Sequence, residues 1–311
     1  IFEQELSKEM DAPLGTTYQR NFAAGSLTLQ TLSGFAVNSW NIDANGDWNT
    51  AGNWSLNHVP TNTELALIDR GTANPVVTLT GSTNTVGGIQ NAEVLTLSTS
   101  TLNLNGASTN AGALNLNSST LGGTGTLSSA GSITLSSGII NTGLNNSGTL
   151  TIPNGTASTL NGTVTNANTG TIQVVNGANG ATLTVANGFT NAGLIDLQNG
   201  GGNPTTFTLN AGTLTNSGTV RASGAGGGGV TLSGALTNTS TGTLDVLHSL
   251  AVTNALRTLD LSAGTLNLAT GQTLAVTDGT TKIGGGTTIT GSGARTLALS
   301  GTNTLDVVSD S

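Results

Sequence analysis

The segment DANGDWN sets Asp43, Asn45, Asp47 and Asn49 two residues apart, the spacing with which a loop turns oxygen ligands toward calcium. Trp48 stands where such a loop needs Gly, and no acid follows where a bidentate Glu would close the site. An Asx-rich turn is therefore expected here, and calcium is the one cofactor the chain suggests. A second set of charges follows a recurring glycine at a fixed offset: Thr151, Gln173, Asp196, Arg221, Asp245 and Asn267 each come three residues after it. Apolar neighbours on both sides turn these side chains away from a core. With strands about 4.8 Å apart, Asp196, Arg221 and Asp245 would form a cross-strand ion-pair ladder.

Carboxylates gathered in a groove could bind calcium or activate water. The other charges of this region, Asp260, Asp278, Lys282, Arg295 and Asp306, are scattered in register, so a surface ladder is expected and no catalytic residue is assigned. His58 and His248 lack a Cys or carboxylate partner at metal-ligand spacing. Asn110, Asn141, Asn146, Asn168, Asn191 and Asn216 each precede a glycine by two residues. Stacked in columns, such residues would join their amides along a rod while tolerating tight turns. Thr-x-Thr pairs recur as well, at Thr78/Thr80, Thr149/Thr151, Thr182/Thr184 and Thr213/Thr215. Regular threonine arrays order water on ice-binding solenoids, but the column that follows the glycines mixes Thr with Gln, Asp, Arg and Asn. Only another face could qualify.

These residues need an element to hold them, and the hydrophobic pattern supplies it. From Val76 onward apolar residues alternate with small polar ones, as in Leu95/Leu97, Leu114/Leu116, Ile133/Leu135, Ile172/Val174, Phe207/Leu209 and Leu266/Leu268. Period two means half-buried strands. They are too short to be stable as isolated hairpins and must stack. The phrase LNNSGTLTI returns as ANTGTIQV, FTNAGLIDL, LTNSGTVRA, TSTGTLDV and SAGTLNL, with its glycine at 148, 170, 193, 218, 242 and 264. Intervals of 22, 23, 25, 24 and 22 residues fit one coil of three strands and three turns, a three-sided parallel β-helix. A sandwich of hairpins would not return the same glycine-strand junction at every interval.

Composition sets the outer bounds. Charged residues are 7% of the chain, against about 25% in an ordinary soluble domain. None occurs between Val94 and Ile195. Fifteen acids and seven bases give a net charge of −8 with no basic cluster for phosphates, so nucleic acid is not an expected partner. No apolar run reaches the roughly 20 residues of a membrane span. Cysteine is absent, and a removed leader would explain a chain that starts at Ile1. Seven of the nine aromatic residues lie within the first 54 positions. The expected division is an N-terminal arm over 1–37, an aromatic capping segment over 38–75 and a solenoid of roughly ten coils over 76–311. Ile1, Phe2, Leu6 and Met10 read as a short helix ended by Pro13, and together with Phe22 and Phe35 they make the arm apolar enough to seek a partner surface.

The stretch NSWNIDANGDWNTAGNWSLNHVPTNTELALID, Asn38 to Asp69, resembles the segment that precedes the β-helix in large secreted bacterial exoproteins, most distinctively between Trp54 and Pro60. The LTNSGTV-like coils are similar to autotransporter passengers and filamentous-haemagglutinin-type repeats. The resemblance implies an extracellular, right-handed β-helix in adhesion or surface structure, and carries no catalytic residue. The C-terminal LALSGTNTLDVVSDS still alternates almost to its last residue, which suggests an open coil able to pair with another. The expected function is a non-enzymatic extracellular subunit stacking head-to-tail with its own copies into a surface filament. A monomeric adhesin or stalk that binds glycan is the alternative, and a polysaccharide-active enzyme built on Asp196 and Asp245 is a distant third.

Overall fold

A computed structural model describes the backbone at Tyr18–Ala23, Ser26–Thr31, 34–253 and 257–308, and side chains from Gly34 onward. It is an all-β solenoid of parallel strands in about ten coils, with a single 3-10 turn at Ala51–Asn53 among the described residues. Val94–Ser98, Thr101–Leu104 and Ser108–Asn110 make up one coil, and Ala113–Asn117, Thr120–Gly122 and Thr126–Ser129 make up the next. Each strand pairs in parallel with its counterpart three places further along the chain. Ala113–Asn117 pairs in turn with Ser132–Ser136, and so the coils climb.

The three flat sides differ in what they show to solvent. The side containing Val94–Ser98 is the charged face, that containing Thr101–Leu104 the threonine face, and that containing Ser108–Asn110 the asparagine face. Alternation works as the sequence pattern requires. On the charged face Val77, Leu95, Leu114, Ile133, Leu150 and Ile172 stack in register and are buried, while the outward residue after each, Thr78, Thr96, Asn115, Thr134, Thr151 and Gln173, is polar. Such columns put every coil's apolar residues directly on those of the next and form one continuous core.

Coil length is not constant. Ala113 pairs with Ser132, 19 residues on, whereas Leu194 pairs with Thr219, 25 residues on. The added residues sit at corners, so the faces keep their register. Three early corners are turned by left-handed residues, Thr99, Ser118 and Ser137, with φ of 48°, 47° and 54°. The glycine corner has a different cause. A Cβ on Gly148 would lie 2.0 Å from the carbonyl oxygen of Gly131, and one on Gly131 would meet Gly112 in the same way. Close stacking of backbone on backbone, rather than dihedral freedom, requires glycine there.

The stacking does not begin at Val76. Ala36–Ser39 already pairs in parallel with Glu64–Ile68, and Gly46–Asp47 with Val76–Thr80. The aromatic segment is thus itself the first coil. Trp40, Trp48 and Trp54 are fully buried and fill its interior. Trp54 meets Trp40 edge-on at 5.2 Å between ring centroids and Trp48 at 4.8 Å. Its Nε1 donates to the Trp48 carbonyl at 2.7 Å. Tyr18–Ala23 and Ser26–Thr31 form an antiparallel hairpin upstream, so Phe22 lies on a strand. Phe35 is half-buried, with its ring in the space that a Cβ on Gly87 or Gly106 would take, and belongs to the solenoid rather than to a free arm. The expected helix and its residues Ile1, Phe2, Leu6 and Met10 lie outside the described residues.

Candidate functional site

Asparagines line the inner edge of the asparagine face. Asn91, Asn110, Ser129, Asn146, Asn166, Asn191, Asn216 and Asn238 stand at one register position, and all are buried. Over the later coils each amide Nδ2 donates to the next coil's Oδ1: Asn146 to Asn166 at 2.8 Å, Asn166 to Asn191 at 2.7 Å, Asn191 to Asn216 and Asn216 to Asn238 at 2.8 Å. The same nitrogens reach backbone carbonyls at the glycine corner, as Asn191 does to Gly193 at 3.1 Å and to Thr219 at 3.2 Å. The ladder therefore satisfies the corner's backbone acceptors while it joins the coils.

Asn110, Asn146, Asn191 and Asn216 sit where the spacing expected them, but Asn168 does not. It is exposed in a turn, and Asn166 takes the place in the ladder. The coil inserts two residues between its asparagine and Gly170, so counting back from the glycine picks the wrong residue; Asn238, four before Gly242, was missed for the same reason. The phrase that marks the ladder is apolar-Thr-Asn, in VTN, FTN, LTN and LTN ending at 166, 191, 216 and 238. Asn141 is also outside it, exposed, accepting from Asn161 at 2.8 Å at another corner.

Asp196, Arg221 and Asp245 do stack in register on the charged face, with Gln173 before and Asn267 after them. They do not form a three-member ion-pair ladder. Arg221 Nε donates to Asp245 Oδ2 at 2.8 Å, and Asn267 donates to the other oxygen at 2.7 Å. Asp196 is held by neutral groups, Gln198 at 2.9 Å and the Ser223 hydroxyl at 2.7 Å. Both carboxylates belong to nearly covered residues, at 8% and 6% exposure, and both are engaged by neighbours.

The four ligands of the calcium-like segment are engaged separately. Asp43 takes Arg70 Nε at 2.8 Å, Asn45 Oδ1 accepts the Val76 N–H at 2.7 Å, and Asp47 Oδ1 accepts the Asn49 N–H at 2.9 Å. Asn49 bridges to Ser82 and Asn84, each at 3.0 Å. Asp43, Asn45 and Asn49 act as pins between the first coil and the next, while Asp47 closes a turn of its own coil. Among the described residues no three His, Cys, Asp or Glu side chains gather around one point.

His58, expected to be isolated, has a partner: its Nε2 lies 2.8 Å from Glu64 Oε1. Glu64 also accepts from the Thr61 N–H at 2.8 Å. The hydrogen bond to Glu64 raises the His58 pKa above its ordinary value. Burial alone would push the Glu64 carboxyl up, but the bonds from His58 and Thr61 outweigh it and leave the group below its usual range. The pair locks the loop that follows Trp54 onto Glu64–Ile68.

In the last described coil the inward columns are uncovered. Ile289 continues the core column of Leu244 and Leu266, and Leu305 and Val307 continue the columns of Leu259 and Leu261 through Thr281 and Ile283. Yet Ile289, Leu305 and Val307 are 53%, 48% and 71% exposed. Among the described residues no helix is long and apolar enough to cross a membrane. No protein-family model matches this chain, and neither the curated proteins nor the solved structures include a match.

Proposed function

We propose that this chain is a non-enzymatic structural protein of a bacterial cell surface, secreted and stacked head-to-tail with its own copies into a filament. The observation that carries the proposal is the exposure of Ile289, Leu305 and Val307, which continue the solenoid's inward columns onto its last described coil. A second copy placed on that coil would extend the parallel pairing and cover the columns, and a contact between unlike ends propagates. The segment before Gly34 would hold the neighbour. A structural role is further supported by the carboxylates Asp196 and Asp245, whose oxygens are bonded to protein groups. The secreted location rests on the resemblance of Asn38 to Asp69 and of the coils to bacterial exoproteins.

A monomeric adhesin or stalk segment binding glycan is the second reading. The tryptophan plug favours it, because Trp40, Trp48 and Trp54 already cover the core at the N-terminal end. Negative-stain microscopy of the purified protein separates the two. Filaments that disappear when residues 1–33 are deleted, which leaves the first coil whole, support stacking. An intact chain that stays monomeric at high concentration rejects it, and binding to a glycan array without polymers would then favour the adhesin.

A further inference from the structure

The threonine face carries a two-dimensional hydroxyl lattice. Thr159, Thr184, Thr208, Ser233, Thr253 and Thr277 occupy one outward position in successive coils. Two residues before three of them, Thr182, Thr206 and Thr231 form a second outward column, also in register. The inward neighbours Leu183, Phe207 and Leu232 are buried, so the backbone under the lattice is fixed by the core. Neighbouring hydroxyls are then about 4.8 Å apart between coils and about 6.6 Å apart along each strand.

Three properties decide what such a surface suits. No charged or aromatic side chain projects outward from these six strands of the face; Arg257 stands at its corner, tied to the carbonyls of Leu209 and Asn210. A sugar would want a ring to stack on, and a protein partner would want apolar or Arg anchors. The hydroxyls of Thr182, Thr184, Thr206, Thr208 and Thr231 have no hydrogen-bond partner among the described residues, which leaves them for water. The methyl groups beside them present apolar surface between the hydroxyls, so water over the face would find its hydrogen-bond partners only at these regular points. The repeats in the two directions are close to those between oxygens on an ice surface. The other faces carry single threonine columns, Thr165, Thr190, Thr215 and Thr237 on the asparagine face and Thr219, Thr243 and Thr265 on the charged face, but there the threonines are not paired: the charged face's second column holds Gln173, Asp196, Arg221 and Asp245, and the asparagine column runs on into Asp260, Lys282 and Asp306.

We infer that the threonine face binds ice, through the paired columns centred on Thr182, Thr184, Thr206 and Thr208. This binding needs no end-on contact and stands apart from the filament proposal. The test uses the full chain, the double variant Thr184→Tyr/Thr208→Tyr, and controls Thr134→Tyr on the charged face and Thr190→Tyr on the asparagine face. Partition into a slowly grown ice hemisphere and thermal hysteresis are measured at equal concentration, with circular dichroism to check folding. The intact chain and both controls should enter the ice and shape its crystals, and the double variant should lose at least about tenfold in hysteresis. Thr206→Lys serves if the double variant does not fold. Exclusion of the intact chain from ice, or equal activity in the face variants and the controls, would overturn the inference.

Discussion

Ser129 and Asn146 are register partners on the asparagine face, yet no hydrogen bond joins their side chains, and the buried Oδ1 of Asn146 has no partner among the described residues. The serine divides one amide ladder into two. Asn91 donates to Asn110, Asn110 Nδ2 lies 3.1 Å from the Ser129 hydroxyl, and a second run starts afresh at Asn146. Ser129→Asn should join them. The new amide would reach the orphaned oxygen and stabilise the fold by about 1 kcal/mol. Denaturant unfolding should show a higher midpoint at an unchanged slope.

The converse change, Asn191→Ala, removes the donor to Asn216 and the acceptor for Asn166 at once. Asn216 Oδ1 is then left buried without a donor, the corner carbonyls of Gly193 and Thr219 lose theirs, and Asn166 keeps only Gly170 and Leu194, which should cost about 2–4 kcal/mol. Asn168→Ala, in its exposed turn, should change stability by no more than about 0.5 kcal/mol. Comparable losses in the two variants would contradict the ladder as drawn.

Gly148→Ala forces a Cβ into the carbonyl of Gly131. Backbone on both sides must move, so a loss of about 1–3 kcal/mol is expected. Gly52→Ala has open space around it and serves as the control in the same thermal melts.

Stability should depend on pH through His58 and Glu64. The raised His58 pKa contributes stability that is present below about 6.5, the unfolded value, and fades as pH rises through the folded one. The lowered Glu64 pKa contributes stability present above its unfolded value near 4.5 and lost as pH falls through the folded one. The two overlap between these limits, where the pair is strongest. His58→Gln should flatten the difference in melting temperature across that window, and an unchanged pH profile would refute the coupling.

Much of the fold was legible because alternation and the repeating glycine are local signals that a stacked core enforces. Leu95, Leu114 and Ile133 could be placed inward from period two alone. The ladder was harder to read. Its members keep register in space, not in sequence, and an inserted turn such as 167–169 moves the glycine without moving the asparagine. The ion-pair column shows the same limit: Asp196 and Arg221 are register partners, but side-chain geometry gave Asp196 to Gln198 and Ser223 instead. The partner of His58 was hidden because Glu64 lies across a turn, six residues on and next to a proline-containing loop.

End-on assembly is tested most directly by sedimentation velocity across a concentration series, comparing the intact protein with Leu305→Lys/Val307→Lys. Both substitutions fall on exposed positions of the last coil, so they should leave the coils beneath intact. The intact protein should shift to larger species as concentration rises, and the double variant should stay at the monomer. Identical monomeric profiles for both, at every concentration, would contradict the filament proposal.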